Sequence, residues 1–336
     1  MHLLKAATSI ALALAFAVIA ASAYLRLDQA GLGCADWPAC YGLQLMEPVA
    51  TAKQAVSEQS LAVVSVRTAH RLFAAGIGML IAIIAIVCFR TRHDWPEGVT
   101  IAAALVVLVL FLAVLGRATQ GSRLPAVTLG NLLGGMAMLA LLWWLRLRIV
   151  HQARGLHCGT NRRLTLWAWT GLTVLVLQVG LGAMVSTGYA AASCGTVPDC
   201  HGIWWPADWA LSAFDPWHEV SISADGAWRS DPARQALHMA HRLGALITAG
   251  CLSVLALLLL RRGGVQRAWG LGLLGSLLLQ VMLGLAIILF QPNLLLALLH
   301  NMVAALIVIV VVSAIFHSRP AEAAKVSEAC QMVTSK

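Results

Sequence analysis

Charge is what this sequence has least of. Only 11% of its 336 residues are Asp, Glu, Lys or Arg, against about 25% in an ordinary soluble domain. Together with 60% hydrophobic residues and a mean hydropathy of +0.82, that shortage excludes a water-soluble globular protein. Acids are scarcer than bases, 14 against 23, which leaves a formal charge of +9. A continuous basic patch is missing all the same. The Lys and Arg residues sit in short loops between apolar runs, as expected for the cytoplasmic side of a membrane protein. No nucleic-acid partner is expected; the chain's main neighbour is membrane lipid.

Long polar stretches are few as well. Eight apolar runs cover residues 6–25, 60–89, 99–116, 125–144, 164–185, 232–260, 268–290 and 294–316. At about 20 residues each they match the thickness of a bilayer crossed by a helix, which predicts an all-α polytopic membrane protein. Ala21-Ser22-Ala23 resembles a signal-peptide cleavage site; the length of the first run favours a retained helix. Pro125 suits a first helical turn, Asp231-Pro232 reads as an N-cap with Pro behind it, and Gln291-Pro292-Asn293 reads as a tight turn. The loops 26–57 and 186–230 hold most of the acids, and the short loops hold Arg90, Arg92, Arg146, Arg148, Arg154, Arg162, Arg163, Arg261, Arg262 and Arg267. The positive-inside rule then places both termini in the cytoplasm and the two long loops outside.

The chain repeats itself. Residues 22–34 overlie 182–194 without a gap, and each copy runs into a pair of cysteines with Pro at the same offset: Cys34-Ala-Asp-Trp-Pro38-Ala-Cys40 and Cys194-Gly-Thr-Val-Pro198-Asp-Cys200. Arg67-Thr-Ala-His70-Arg71-Leu is echoed by His238-Met-Ala-His241-Arg242-Leu, and Leu115-Gly116 by Leu283-Gly284. The expected organisation is two four-helix bundles, residues 1–160 and 161–318, related by an axis along the membrane normal, with a polar cytoplasmic tail at 319–336.

Cys34, Cys40, Cys194 and Cys200 all fall in the outward loops, where disulfides persist. One small-ring disulfide per loop is the natural pairing. It could be a structural staple, or an exposed and labile pair that exchanges with thiols. A four-cysteine zinc site is not expected, because the pairs belong to different halves.

Ionisable groups at membrane depth usually face a cavity or ligand, so the histidines matter most. His241 lies about ten residues into its helix, roughly 14 Å deep at 1.5 Å per residue, and His300 about eight residues beyond Pro292, roughly 12 Å deep. Both helices start outside, so the side chains can meet at similar depth, the arrangement of a bis-histidine haem in a four-helix bundle. Arg71 and Arg242 could pair with haem propionates or snorkel to the interface. His238, one turn before His241 on nearly the same face, either supports His241 from behind or, more simply, is an interfacial polar residue. The first half lacks the second ligand: His70 matches His241, but Asn131 stands where His300 would be.

These residues resemble the haem A synthase family, cytochrome oxidase assembly enzymes that convert haem O to haem A. The resemblance rests on Gly31-Leu-Gly-Cys34-Ala-Asp-Trp-Pro-Ala-Cys40-Tyr-Gly42, the two His-Arg helices, Leu132-Leu-Gly-Gly135 and His300, and covers nearly the whole chain. It implies that His241 and His300 are the axial ligands of a haem b. The N-terminal bundle would receive haem O on the His70 side and oxidise a ring methyl to a formyl group through a hydroxymethyl intermediate. Cys34 and Cys40 would form a disulfide, as in many members. It further implies a bacterial inner membrane, with haem O synthase, oxidase assembly factors and an unidentified electron partner as neighbours. Two family residues are absent: Arg67 replaces the Glu three positions before the first-half His, and Asn131 replaces the fourth-run His. Two rivals follow from those gaps and from the cysteines, a haem-carrying delivery protein without chemistry and a quinone-linked thiol oxidoreductase.

Overall fold

The computed structural model describes residues 2–30, 32, 61–119, 124–152, 162–204, 211–218 and 232–318. Within them the long elements are all helices: α1 His2–Gln29, α2 Leu61–Arg90, α3 Pro96–Ala118, α4 Pro125–Gln152, α5 Arg162–Thr187, α6 Pro232–Leu260, α7 Gly264–Leu289 and α8 Leu294–Ser318. A single 3-10 turn, Leu211–Phe214, lies in the second long loop. All eight helices are long and apolar enough to cross a bilayer. In hydrocarbon a backbone must satisfy its own N–H and C=O groups, and a helix does so within one segment. The protein is an integral membrane protein.

The helices outrun the apolar stretches. α4 continues two turns past Trp143-Trp144 to Gln152, so Arg146 and Arg148 are helical rather than loop residues. Arg26 belongs to α1, Arg162 and Arg163 open α5, and Arg267 lies in the first turn of α7. Backbone hydrogen bonding does not stop where side chains become polar, and long cationic side chains reach the interface from inside a helix. Arg148 uses this reach to pair with Glu97 at the start of α3, 2.9 Å away.

Packing closes two rings. α1 packs on α2, α2 on α3, α3 on α4 and α4 back on α1; α5, α6, α7 and α8 close in the same cyclic order. Across the seam α1 meets α8, α4 meets α5, and α4 meets α8. The core runs along this seam through fully buried Leu139, Leu142, Leu145 and Ile149 of α4 and Val311 and Ala314 of α8. Trp143 donates its indole N–H to Ser313 across it (2.8 Å). The loop between α5 and α6 reaches the first ring as well: the Ala126 N–H at the start of α4 donates to Pro216 O (2.8 Å), and Phe214 packs near Leu129.

Candidate functional site

His241 occupies the wall between α6 and α5. Its imidazole lies against Gly182, where a Cβ would come within 2.9 Å of the His241 Cε1. The amide of Gln178, one turn further in along α5, sits 3.0 Å from His241 Nδ1 and also donates to the His241 carbonyl (2.9 Å). That amide is seated over Gly244, where a Cβ would collide with Gln178 Oε1. His241 Nε2 is in no hydrogen bond.

His300 repeats the arrangement between α8 and α7. Its ring lies on Gly284, 3.3 Å from where a Cβ would stand, and the Gln280 amide is 3.0 Å from His300 Nε2. The two histidines thus have matching surroundings in one ring of helices, a glycine under each imidazole and a glutamine amide beside it. Three polar atoms of this layer are buried with no partner: Gln178 Oε1, Gln280 Oε1 and His300 Nδ1. Buried polar atoms without partners cost stability and mark a site meant for something else.

The donor set narrows what that is. Among the described residues no cluster of three or more His, Cys, Asp or Glu could hold a bare metal ion. Two histidines in one ring are too few for such an ion, whereas a haem iron asks no more than two of the protein, since the porphyrin brings its own equatorial nitrogens. The residues present fit a bis-histidine haem.

Arg242, the neighbour of His241, is engaged elsewhere than expected. Its guanidinium donates to Cys194 O (2.6 Å), Thr196 O (2.7 Å) and Asp199 O (2.8 Å), holding the loop after α5 against α6. Cys194 and Cys200 are joined in that loop by a disulfide and are 2% and 1% exposed, under Met239. A pair so enclosed is a staple rather than an exchange site. Asp199 sits on the rim: bonds from the Gly202 N–H, then the Thr196 hydroxyl, and the nearby Arg242 charge hold its carboxyl below the ordinary carboxylate range. His238, expected at the interface, is only 6% exposed and is tied to the Ala190 backbone. Loop folding explains both differences, because the chain after α5 doubles back over the outer end of α6.

The first ring offers much less at the matching depth. His70 is half-exposed on α2, with no hydrogen bond among the described residues, and Arg71 is exposed. Asn131 turns away, its amide donating to the Thr119 hydroxyl at the end of α3 (2.8 Å). In the repeat, Gln178 and Gln280 correspond to Val18 and Leu112, and Gly182 to Ser22. Leu112 packs against Gly134 of α4, where a Cβ would lie 2.5 Å from it. Cys34 and Cys40 lie outside the described residues.

Sequence reasoning overlooked three functional positions. Gln178-Val-Gly-Leu-Gly182 and Gln280-Val-Met-Leu-Gly284 are the same pattern in corresponding helices, a signal visible once the repeat is drawn. Arg26 also passed as the start of a loop. It donates from α1 to Ser186 Oγ and Asn301 Oδ1, both at 3.1 Å, so the first ring reaches to the residue beside His300.

Known proteins agree with this picture in extent. A "Heme A synthase" from Shewanella oneidensis is 34% identical over 304 residues, covering 88% of this chain and 91% of that one. Residues 6–312, which include every helix from α1 through His241 and His300, match one family. The chain belongs to the COX15-CtaA family of cytochrome oxidase assembly proteins.

Proposed function

We propose that the chain is a haem A synthase, an oxidoreductase that converts a methyl group of haem O into a formyl group for cytochrome oxidase assembly. Family membership across both rings carries this reading. Turning a methyl into a formyl removes four electrons and adds one oxygen atom, so a substrate site and an electron route are both required.

The unequal rings divide those tasks. In the second half, residues 161–318, His241 and His300 would hold haem b, which when bound accepts and passes on single electrons. Gly182 and Gly284 leave room for the ligand rings. In the first half, residues 1–160, His70 would face haem O. One half-exposed histidine without a fixed partner suits a substrate that must enter and leave. Arg71 stands free for a propionate, and Arg242 would serve one only by releasing loop carbonyls. We place the protein in a bacterial inner membrane with both termini cytoplasmic, because the short loops and the helix ends beside them gather Arg90, Arg92, Arg146, Arg148, Arg154, Arg162, Arg163, Arg261, Arg262 and Arg267. Haem O synthase would supply the substrate and oxidase assembly factors would receive the product; the electron partner is unidentified.

A delivery protein without chemistry is the second reading, favoured by Arg67 in place of an acid and by Asn131 bonded to Thr119. Expression with a haem O synthase, followed by extraction and chromatography of pigments, separates the two. The enzyme yields hydroxylated and formylated haem; the carrier yields only haem O and haem b.

A further inference from the structure

We propose that Gln178 and Gln280 are positioning residues that set the two histidines for haem, the first as a permanent support and the second as a placeholder. This rests on the bis-histidine reading above. The starting point is their identical setting. Each Gln lies four residues before a glycine on a helix packed beside the histidine helix. Each amide is 3.0 Å from a ring nitrogen, and each Oε1 is buried without a partner.

An amide NH₂ only donates, so the nitrogen it faces carries the lone pair and the ring proton sits on the other nitrogen. At His300 the Gln280 NH₂ faces Nε2, which puts the proton on Nδ1. That is the tautomer whose Nε2 can ligate iron. Gln280 therefore occupies the very lone pair that the metal takes. Gln280 would have to give up this N–H···N bond before His300 could hold the iron, and the ring proton would stay where it is.

At His241 the amide faces Nδ1 instead, leaving Nε2 free of any bond. A metal-bound histidine commonly gives its second N–H to an acceptor that fixes the ring and raises its basicity. Gln178 Oε1 is that acceptor. As placed, the amide donates to both Nδ1 and the His241 carbonyl; because its two ends are nearly equal in shape, a half-turn over Gly244 would exchange the carbonyl bond for one from Nδ1–H to Oε1. The first ring has Val18 and Leu112 at these places, which can support neither histidine tautomer. The glutamines thus mark the half that keeps its haem.

The test is haem binding and redox titration of purified Gln178→Leu, Gln178→Glu and Gln280→Leu in detergent, beside His241→Ala and His300→Ala. Gln178→Leu should bind haem b about 10- to 100-fold more weakly and shift its midpoint potential upward, because the ligand loses basicity. Gln178→Glu should restore binding and shift the potential downward. Gln280→Leu should take up haem faster than the parent, with a low-spin spectrum and unchanged retention. Parent-like binding and potential in Gln178→Leu would overturn the support role; loss of haem in Gln280→Leu as deep as in Gln178→Leu would overturn the placeholder role. If His241→Ala and His300→Ala leave the low-spin spectrum intact, the bis-histidine reading itself fails.

Discussion

The two rings share one topology and differ at the depth where chemistry is expected. In the second ring each histidine has an amide beside it and a bare glycine beneath it. In the first, His70 stands alone, Asn131 bonds to Thr119, and Leu112 closes against Gly134. A repeat preserves helices, loops and crossing order cheaply, because those depend on apolar pattern. A ligand site depends on four or five residues, and losing them leaves the scaffold intact. On the function proposed above, the difference would let one ring retain a cofactor and the other release its occupant.

The largest effect expected from breaking this comparison is at the ligands. His300→Ala or His241→Ala should abolish the low-spin haem b spectrum, while His70→Ala leaves it intact; optical and electron paramagnetic resonance spectra decide. Next comes Gly182→Ala. Its methyl would fall 2.9 Å from the His241 ring, and overpacking of this kind costs about 1–3 kcal/mol, so haem b content and thermal stability should both fall. The same change at Gly284, with 3.3 Å available, should be milder.

Asn131→His sharpens the comparison from the other side. It gives the first ring a second imidazole opposite His70 and should add a second low-spin haem per chain, measured by haem stoichiometry. No increase would show that the first ring lacks more than a ligand.

Much of this was legible in the residues themselves. Eight spans follow from apolar length, and the matching order of the two helix rings follows from the repeat. What could not be read depends on how loops fold and on which neighbour a side chain meets. Arg242 is a cation at a helix entrance, as suited to propionates as to carbonyls until the Cys194–Cys200 loop is seen lying on it. Gln178 and Gln280 are ordinary polar residues until the depth of their histidine partners is known. Arg26 looked like a loop residue because α1 keeps its helical bonding past the last apolar side chain.

Smaller effects concern that loop. Arg242→Gln leaves three carbonyls without their cation, and lost bonds to a charged donor are worth about 1.5–3 kcal/mol each before water replaces them. Thermal stability should drop modestly while the haem b spectrum keeps its low-spin form. The pH response should be smaller still. Asp199 has a lowered pKa in the folded loop, so its contribution is present above the ordinary carboxylate range and is lost only as pH falls through the lowered value. Tryptophan fluorescence should therefore stay constant from neutral to mildly acidic pH and change below that range, and Asp199→Asn should remove the change.

The division of labour between rings is tested most directly by the pigments of His70→Ala expressed with a haem O synthase. The account predicts undiminished haem b with no formylated haem, since the retained cofactor and the substrate occupy different rings. Formylated haem at the parent level, or loss of haem b as complete as in His300→Ala, would contradict it.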